Sequence, residues 1–420
     1  MKSNEICIAY ATDSNYVVPT CVSIYSLLKN SSSDYTYVIN VIVPKELSSN
    51  NRNLIKKVCD LYSNSQLNFI TFSDELTGIE SKIEHISTVA YYRLLLHKYI
   101  TDFDICIWLD SDTVICSDVS ELVSYDIKEN YIAGVKASSY QLINPDKHCK
   151  RLGIPSVKSY INSGVLIMNL KKLREDSMEN IFWQLAKNNY DTIDQDVFNV
   201  ACFGKIFHLH FKYNFQPSRL YEANENIFNM FPLSEIKQAY ENPIVVHFLD
   251  KVKPWQDSNN DFKECWFSNY IKLTEIISEF KGFYSIEKKT KQEIDINIIN
   301  SKNLVLYGAG YRGNDILAFL RYMNINNPNE IWDRSFEKIT NVEGINVVAP
   351  KFDRDSKFLN DITLIICIDD VQVSKSIYQQ SKAAGILNIY FAIDMKKSLW
   401  GKLLSDYKTK KGNTTSNNEK

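Results

Sequence analysis

The chain has 420 residues, of which 45% are hydrophobic and 23% are charged, and its formal net charge is −2. This length predicts two or three domains, and the composition is that of an ordinary globular protein. A near-neutral charge gives no electrostatic basis for a nucleic-acid partner, which calls for a strongly basic face.

The N-terminal residues lack the long apolar run of a signal peptide, and no stretch has the roughly 18 apolar residues of a membrane span. The nine cysteines form no CxxC pair, and several lie in apolar strand-like runs, which indicates a reducing compartment. The sequence therefore predicts a cytoplasmic protein. Trp400 and the lysines of the tail are compatible with weak attachment to the inner face of the cell membrane, although so short a basic run is more often only solvated.

Strand-like and helix-like segments alternate along the first part of the chain. The predicted strands are 5–11, 37–43, 67–72 and 104–109, and the predicted helices are 17–29, 48–62 and 89–99. This alternation predicts an α/β fold with a parallel sheet covered on both faces. Ligands bind such sheets at the carboxyl ends of the strands, so the polar residues there are the candidates for a functional site.

Two aspartates, Asp110 and Asp112, directly follow the fourth predicted strand in the run WLDSD. Carboxylate oxygens at a strand end suit a Mg²⁺ or Mn²⁺ ion that shares its site with substrate phosphates. A polar turn that closes the strand is the alternative, and an aspartate pair of this spacing is weak evidence by itself.

The pattern changes after residue 249. Residues 262–280 have helical, aromatic-rich character, and the polar, lysine-rich stretch 281–300 predicts a linker. A second strand–helix alternation begins at Asn303, and the polar tail 398–420 is predicted to be disordered. The predicted domains are therefore 1–280 and 301–397.

A glycine-rich turn lies between a strand and a helix in the C-terminal domain. Gly308, Gly310 and Gly313 fit the GxGxxG pattern, and Asp333 follows Gly313 by 20 residues at the end of a second strand. In dinucleotide-binding folds such glycines permit a tight turn, pyrophosphate approach and helix packing, and the acid contacts ribose. The segment predicts a small Rossmann-like α/β domain. It binds NAD or another nucleotide, or its glycines serve packing alone; we interpret it as a regulatory, docking or acceptor-positioning domain.

Seven short motifs between residues 11 and 255 stand in one characteristic order. They are ATDSNY (11–16), YYRLLL (91–96), WLDSD (108–112), YINSGVLIMNL (160–170), DQDVFN (194–199), YNF (213–215), and HF with KPW (247–255). Through these motifs the sequence resembles glycosyltransferase family 8, the retaining transferases typified by lipopolysaccharide galactosyltransferases and glycogenin. The resemblance implies a GT-A nucleotide-diphospho-sugar transferase fold and a UDP-sugar donor.

The resemblance also implies a metal centre. Asp110, Asp112 and His247 would be its ligands, and an imidazole beside two carboxylates suits Mn²⁺ better than Mg²⁺. Lys253 would neutralise the diphosphate leaving group. Taken alone, His247 would be interpreted as a hydrogen-bonded core histidine and Lys253 as part of an ordinary turn.

The first motif would bind the nucleoside. Asp13, Asn15 and Tyr16 would hold uridine, since a carboxylate accepts from the uracil N–H and an aromatic ring packs against its face. A capping cluster for the following helix is the alternative. Arg93 would reach toward the donor sugar or the diphosphate, or else form a structural salt bridge.

The remaining site residues would surround the donor sugar. The resemblance places Asn162, Ser163 and Asp194 in contact with the sugar and Gln195 near its anomeric carbon. Because a neutral amide is a poor nucleophile, we predict a front-face route in which UDP departs, an oxocarbenium-like centre forms and the acceptor hydroxyl enters from the same side. Gln195 would stabilise the cation by its carbonyl dipole. A loop before a strand, for Ser163, and a helix cap, for Asp194, are the alternatives.

Two segments depart from the family pattern. The family usually has a sugar-contacting aspartate after the strand YIAGV, where this chain has Lys136, Ala137, Ser138 and Ser139. It tends to have glycine three residues after the metal histidine, where this chain has Asp250.

The first departure leaves the donor open between galactose or glucose and an N-acetylated or otherwise altered sugar. The second implies weaker activity or a different arrangement of the loop. The predicted function is hexose transfer to a glycan, lipid-linked or protein-linked acceptor. A nucleotide-sensing or assembly subunit with a decayed transferase site is the alternative, and a bifunctional enzyme that also uses NAD is a third reading.

Overall fold

The computed structural model describes residues 4–71, 88–137, 145–188, 190–218, 227, 230–249, 253–256, 262–284, 303–322, 326–368 and 370–392. These residues divide into two compact units, the first within 4–218 and 230–284 and the second including 303–392. Most of the predicted linker and the whole predicted tail lie outside the described residues. The domain boundaries therefore stay predictions.

The first unit is built on a seven-stranded sheet. Its strands are β1 (Glu5–Ala11), β2 (Thr36–Ile42), β3 (Ser65–Ile70), β4 (Ile105–Leu109), β6 (Ile132–Lys136), β7 (Ile161–Asn169) and β8 (Ile206–His208), in the order β3-β2-β1-β4-β7-β6-β8. The strands β3, β2, β1 and β4 are parallel neighbours, whereas β7 is antiparallel to both β4 and β6. The predicted parallel α/β sheet is confirmed, and β7 adds an antiparallel element in its middle.

A second, two-stranded sheet joins distant parts of the chain. It pairs β5 (Thr113–Ile115) with β9 (Val245–His247) in antiparallel register, with Thr113 opposite His247. The backbone N–H of Phe248 continues this ladder by donating to the carbonyl of Asp112 at 3.0 Å. The pairing therefore brings the residues after β9 beside the turn that follows β4.

Helices and 3₁₀ segments surround the sheet. The helices are α1 (Val17–Lys29), α2 (Ser49–Cys59), α3 (Leu96–Tyr99), α4 (Pro145–Leu152), α5 (Leu170–Glu175), α6 (Met178–Ala186), α7 (Ile193–Ala201), α8 (Leu233–Glu241) and α9 (Lys263–Ile276). The 3₁₀ segments are Thr88–Leu95, Ser120–Ser124, Phe211–Asn214, Pro254–Gln256 and Ser278–Phe280. Ser48 caps the start of α2, because its side chain accepts from the N–H of Asn51.

The predicted helix at 89–99 differs from the observed structure. Residues Thr88–Leu95 form a 3₁₀ segment, and a single α-helical turn, α3, follows. Runs of 3₁₀ helix this long are uncommon, because their hydrogen-bond geometry is poorer than that of an α-helix. This segment carries Arg93 toward the carboxyl end of β4.

The core of the first unit lies against β4 and β7. All nine residues of β7 are buried, including the polar Asn162 and Ser163 at its start. A strand buried on both faces is expected to read as a nearly continuous apolar run, and each large apolar side chain stabilises the fold by about 1.5–3 kcal/mol. The two polar residues at its start need hydrogen-bond partners, which the site below supplies.

The second unit is a smaller α/β sheet domain, as predicted for the C-terminal part. Its strands are β10 (Leu304–Tyr307), β11 (Glu330–Trp332), β12 (Asn341–Val342), β13 (Ile345–Val348), β14 (Thr363–Ile366) and β15 (Asn388–Phe391), with helices α10 (Tyr311–Tyr322), α11 (Ser356–Asn360) and α12 (Val371–Ala383). The strand order in this sheet is β12-β13-β11-β10-β14-β15. The strands that follow β10 in sequence lie first on one side of it, up to β13, and then on its other side, from β14 onward, so the order of the strands reverses between β10 and β14. Within the part of the chain that the structure describes, each helix is too short or too polar to cross a membrane.

Candidate active site

The three predicted metal ligands converge at the end of β4. Asp110 and Asp112 lie in the turn between β4 and β5, and His247 ends β9. One ligand atom from each lies within 4.8 Å of the others. The Nε2 atom of His247 is 3.2 Å from Oδ1 of Asp112 and 3.7 Å from Oδ2 of Asp110. The antiparallel pairing of β5 with β9 is therefore what assembles this cluster.

Gly164 leaves room for the cluster. Its carbonyl accepts from the N–H of Asp110 at 2.8 Å, so its backbone lies directly against the metal candidates. A Cβ atom at this position would be 2.0 Å from Cε1 of His247 and 2.9 Å from Oδ2 of Asp110. Glycine is needed here because the side chains of His247 and Asp110 pack directly against this position.

We expect Gly164→Ala to lower Mn²⁺ affinity by at least about tenfold, since the added methyl group must displace the His247 imidazole. Titration of free Mn²⁺ by electron paramagnetic resonance measures this affinity. Gly310→Ala is the matched control, because no atom of the described part of the chain would lie within 4 Å of a Cβ at Gly310. Wild-type Mn²⁺ affinity in Gly164→Ala would show that His247 is not a ligand.

Lys253 lies beside the same cluster. Its ammonium donates to Oδ2 of Asp112 at 2.7 Å and to the carbonyl of Phe248 at 2.7 Å. Burial alone would raise the pKa of Asp112, but Lys253 and His247 hold that pKa well below its ordinary range. Asp112 is therefore a carboxylate across the physiological pH range.

Arg93 connects the metal candidates to the predicted sugar site. Its guanidinium pairs with Oδ1 of Asp110 at 3.0 Å and with Oδ2 of Asp194 at 3.2 Å. It also donates to the carbonyl of Ser163 at 2.7 Å and lies 4.6 Å from the ring centre of Trp108. The planar guanidinium suits this mixed set of partners, which an ammonium group would not satisfy. The structural salt bridge considered for Arg93 is thus present, and a contact to the donor stays a prediction.

Asp194 is buried next to Arg93. Burial raises the pKa of Asp194 to about 6; Arg93 opposes this shift and Asp110 adds to it. Its Oδ2 also accepts from the hydroxyl of Ser163 at 3.2 Å. The carboxyl group is thus held at the inner end of the site with its charge only partly compensated.

The raised pKa of Asp194 predicts a pH-dependent stability. A group with a raised folded-state pKa stabilises fully below its unfolded pKa and loses that contribution as the pH rises through the folded value. We expect the free energy of unfolding of wild type, relative to that of Asp194→Asn, to fall by on the order of 1–3 kcal/mol between pH 4.5 and pH 7.5. Urea unfolding of both proteins at the two pH values tests this. A difference that is constant with pH would contradict a raised pKa.

Gln195 is held by hydrogen bonds on both sides of its amide. Its Oε1 accepts from Nδ2 of Asn162 at 2.9 Å and from the backbone N–H of Ser163 at 3.1 Å. Its Nε2 donates to the hydroxyl of Tyr160 at 3.1 Å, and that hydroxyl donates to the buried Asp196 at 2.6 Å. Both lone pairs of Oε1 are therefore used, and the predicted carbonyl-dipole role requires one of these bonds to open.

Ile193, the residue before Asp194 and Gln195, has a strained backbone. Ile193 begins α7 with a φ of 47°, and β-branched residues rarely adopt positive φ. Such a conformation costs about 1–3 kcal/mol and persists where the surroundings enforce it. The strain lies immediately before Asp194 and Gln195, at the point where α7 enters the site.

The predicted uridine residues lie between β1 and α1. Oδ1 of Asp13 accepts from the N–H groups of Asn15 and Tyr16 at 2.9 and 3.2 Å, which stabilises the turn before α1. The Tyr16 ring packs edge to face against Trp255, with centroids 6.0 Å apart. Burial raises the pKa of Tyr16, and Lys253 opposes this shift. The turn role of Asp13 is observed, and uridine binding stays a prediction.

The two departures from the family pattern have different outcomes. Ala137 follows β6 and is buried in an apolar cluster that also contains Leu152, Val157 and Tyr160. An aspartate side chain would be unfavourable in this cluster without a partner. Asp250, Ser138 and Ser139 lie outside the described residues.

The glycine turn of the second unit is explained in part by packing. Gly308 has a φ of 117°, and a Cβ there would be 2.8 Å from the carbonyl oxygen of Cys367. A Cβ on Gly313 would be 2.1 Å from the carbonyl oxygen of Gly308. Among the residues that the structure describes, Gly310 has no such neighbour within 4 Å, so they give no steric reason for glycine there. Nucleotide binding at this turn stays a prediction.

Asp333 has a structural role of its own. Its two carboxylate oxygens accept from the backbone N–H groups of Ala309 and Ser335, each at 2.7 Å. The first of these bonds ties the end of β11 to the glycine turn. An aspartate at this position is thus accounted for by the fold, and a contact with ribose stays a prediction.

Several residues in the site were not assigned roles from the sequence. Asn214, Tyr160 and Gly164 lie within motifs that were recognised, but their partners come from other elements. Asp196 is fully buried and accepts from Tyr160, from the N–H of Thr192 and from Arg151. The signal that identifies them is their place inside the ordered motifs, since no local pattern predicts these contacts.

Proteins that are similar to this chain in sequence or in fold include glycosyltransferases. A glycosyltransferase relative from Haemophilus influenzae is 28% identical over 219 residues, which are 51% of this chain and 65% of that protein's length. The lipopolysaccharide 1,2-glucosyltransferase of Escherichia coli is 25% identical over 285 residues, 64% of this chain and 78% of that protein. The crystal structure of galactosyltransferase LgtC with donor and acceptor sugar analogs shares the fold, with a TM-score of 0.55 and 23% identity over 66% of this chain and 99% of LgtC.

The glycosyltransferase family 8 model matches residues 7–259. The chain belongs to glycosyltransferase family 8. The resemblance drawn from the seven motifs is therefore confirmed, and so is the GT-A fold. The match ends before β10, the first strand of the second unit's sheet.

Proposed function

We propose that the first unit transfers a hexose, galactose or glucose, from a UDP-sugar to a glycan, lipid-linked or protein-linked acceptor with the help of Mn²⁺. The convergence of Asp110, Asp112 and His247 beside Lys253 is the observation that carries this proposal. The family supports a sugar-transfer reaction, and the names of the lipopolysaccharide transferases among the relatives support hexose donors and a glycan acceptor.

The residues present fit a divalent cation. Two carboxylates and one imidazole form a donor set suited to Mn²⁺, with Mg²⁺ as the second choice. Their ligand atoms lie within 4.8 Å of one another, and Gly164 keeps the space beside them free of a side chain. Mn²⁺ bound by these three residues would screen the charge of a diphosphate and stabilise UDP as a leaving group.

The protein's own groups would carry out the rest of the chemistry. Lys253 places a fixed cation beside the position of the diphosphate, where negative charge develops as the bond to the sugar breaks. In the proposed front-face route the acceptor oxygen bonds to the anomeric carbon, the bond from that carbon to UDP breaks, and the hydroxyl proton passes to the leaving phosphate oxygen. Asp194 and the polar start of β7 would hold the sugar, and Asp13, Asn15 and Tyr16 the uridine.

The alternative, a nucleotide-sensing or assembly subunit, draws its support from the apolar surroundings of Ala137. The ion pair of Lys253 with Asp112 and the packing of Gly164 against His247 favour an intact transferase site instead. NAD binding by the second unit and attachment of the tail to a membrane stay predictions.

UDP release from a panel of donors tests the proposed function. UDP-galactose, UDP-glucose and their N-acetylated counterparts are incubated with the full chain, with and without Mn²⁺, and a GDP-sugar serves as the control. Slow hydrolysis of one UDP-sugar that depends on Mn²⁺ is the expected result. No release from any donor, together with no UDP binding by calorimetry, would favour the assembly-subunit alternative.

A further inference from the structure

A series of hydrogen bonds between side chains connects His247 with Gln195. Nδ1 of His247 lies 2.9 Å from Oδ1 of Asn214, and Nδ2 of Asn214 donates to Oδ1 of Asn162 at 2.8 Å. Nδ2 of Asn162 in turn donates to Oε1 of Gln195 at 2.9 Å. These four residues, which we call the amide relay, span the distance from the predicted metal centre to the predicted sugar site.

Two backbone groups fix the orientation of the side-chain amides. The N–H of Ser163 points at Gln195, so the atom it meets must be the oxygen Oε1. The N–H of Gly164 points at Asn162 at 3.0 Å, so that atom must be Oδ1. A backbone N–H can only donate, and these two donors therefore remove the usual uncertainty about which way an amide is turned.

The orientation of Asn214 then follows from that of Asn162. Because Oδ1 of Asn162 is an acceptor, the group of Asn214 that faces it must be the donor Nδ2, and Oδ1 of Asn214 must face His247. An amide oxygen can only accept, so Nδ1 of His247 must carry a proton. In the neutral imidazole the lone pair is then on Nε2, the atom that faces Asp110 and Asp112.

The opposite tautomer would break the relay. If Nε2 carried the proton and Nδ1 the lone pair, Asn214 would have to turn and place its oxygen against Oδ1 of Asn162. Turning Asn162 as well would place its amino group against the N–H of Gly164. Asn214 and His247 are at most 1% exposed, so water cannot compensate, and each unmade bond costs about 1–3 kcal/mol.

The backbone also holds Asn214 in place. The N–H of Phe215 donates to the carbonyl of Val245 at 2.9 Å, and the N–H of His247 donates to the carbonyl of Phe215 at 2.8 Å. Phe215, the residue after Asn214, is thus hydrogen-bonded to β9 through both its N–H and its carbonyl. The relay continues beyond Gln195 through Tyr160 to the carboxylate of Asp196, and all its donors point the same way, which strengthens each bond.

We propose that Asn214 is a positioning residue that holds His247 in the Nδ1–H tautomer, and that the same amide relay fixes the orientation of Gln195. The proposal deepens the proposed function, on whose metal centre it rests. It predicts that one hydrogen-bond network orients the side chains of both the metal site and the sugar site. Asn214 joins the two, because it bonds to His247 on one side and to Asn162 on the other.

Nuclear magnetic resonance of the metal-free full chain measures the tautomer directly. The chain contains six histidines, so histidine-selective ¹⁵N labelling gives few signals, and His247→Gln identifies that of His247. We expect the Nδ1–H tautomer in wild type and its loss or mixing in Asn214→Ala. Mn²⁺ affinity, measured separately by electron paramagnetic resonance, is expected to fall about 10- to 100-fold in Asn214→Ala.

A second variant separates the two ends of the relay. Asn214→Asp still offers an oxygen to Nδ1 of His247 but cannot donate to Asn162, so the tautomer is expected to be retained while UDP release becomes slower. The control is Asn40→Ala, since Asn40 is buried and its described bonds lie within β1, β2 and β3. This control is expected to keep the tautomer and the Mn²⁺ affinity of wild type.

Each outcome bears on one of the two proposals. An Nε2–H tautomer in wild type, or an unchanged tautomer and Mn²⁺ affinity in Asn214→Ala, would overturn the positioning role. An Nδ1–H tautomer in a wild-type protein that fails to bind Mn²⁺ would support the relay and overturn the metal-dependent function instead.

Discussion

Asp112→Asn is expected to reduce Mn²⁺-dependent UDP release by about a thousandfold, because the variant loses several kcal/mol of charge stabilisation. The neutral amide is a weaker ligand than the carboxylate. The substitution also removes the carboxylate whose Oδ2 lies 2.7 Å from Nζ of Lys253, so the ammonium is no longer fixed beside the diphosphate position. The release rate at several Mn²⁺ concentrations, with the donor identified in the panel, measures the effect.

Asp118→Asn is the matched control for this substitution. Asp118 is half-buried and accepts from the hydroxyl of Tyr37 at 2.6 Å and from the N–H of Ser120 at 3.1 Å, bonds that belong to the fold. We expect its UDP release to stay within about twofold of wild type, since this carboxylate is not part of the metal cluster. Thermal unfolding of both variants shows whether they are folded. Release by folded Asp112→Asn within tenfold of wild type would exclude Asp112 as an essential ligand.

The sequence predicted the elements that lie close together along the chain. The strand 5–11 and the helix 17–29 have the predicted bounds, and β4 delivers Asp110 and Asp112 as expected. These features depend on local apolar periodicity and on the polar residues at strand ends. The position of His247 was predicted only through the resemblance, because its pairing with β5 joins segments far apart in sequence.

The contacts within the site could not be predicted from spacing. Nothing near Arg93 in sequence indicates that it joins Asp110 to Asp194, because Asp110 follows β4 and Asp194 lies in α7. The amide relay likewise depends on the register of β7 beside β4 and on the segment at Asn214. In the second unit, the pattern predicted the glycine turn but not the backbone contacts of Asp333.

Arg93 also stabilises the fold, because its buried guanidinium pairs with two carboxylates. We therefore predict a large loss of stability when Arg93 is replaced. Its guanidinium compensates two carboxylates, of which Asp194 is buried and has its pKa raised to about 6 by that burial. Removing one partner of a buried ion pair typically costs about 3–5 kcal/mol, because a charge is left without compensation. We expect Arg93→Met to lower the free energy of unfolding by this amount at pH 7.5.

Two comparisons show whether the loss comes from the buried charge of Asp194. Arg93→Met combined with Asp194→Asn should recover most of the stability, and lowering the pH from 7.5 to 5 should reduce the loss in Arg93→Met, since Asp194 then takes up a proton. Arg52→Met is the control, because Arg52 donates to the carbonyls of Leu47 and Pro44, and its loss should cost only about 1 kcal/mol. Urea unfolding measures all four proteins. An equal loss in Arg93→Met at both pH values, with no recovery in the double variant, would mean that Arg93 stabilises the fold through packing on Trp108 instead.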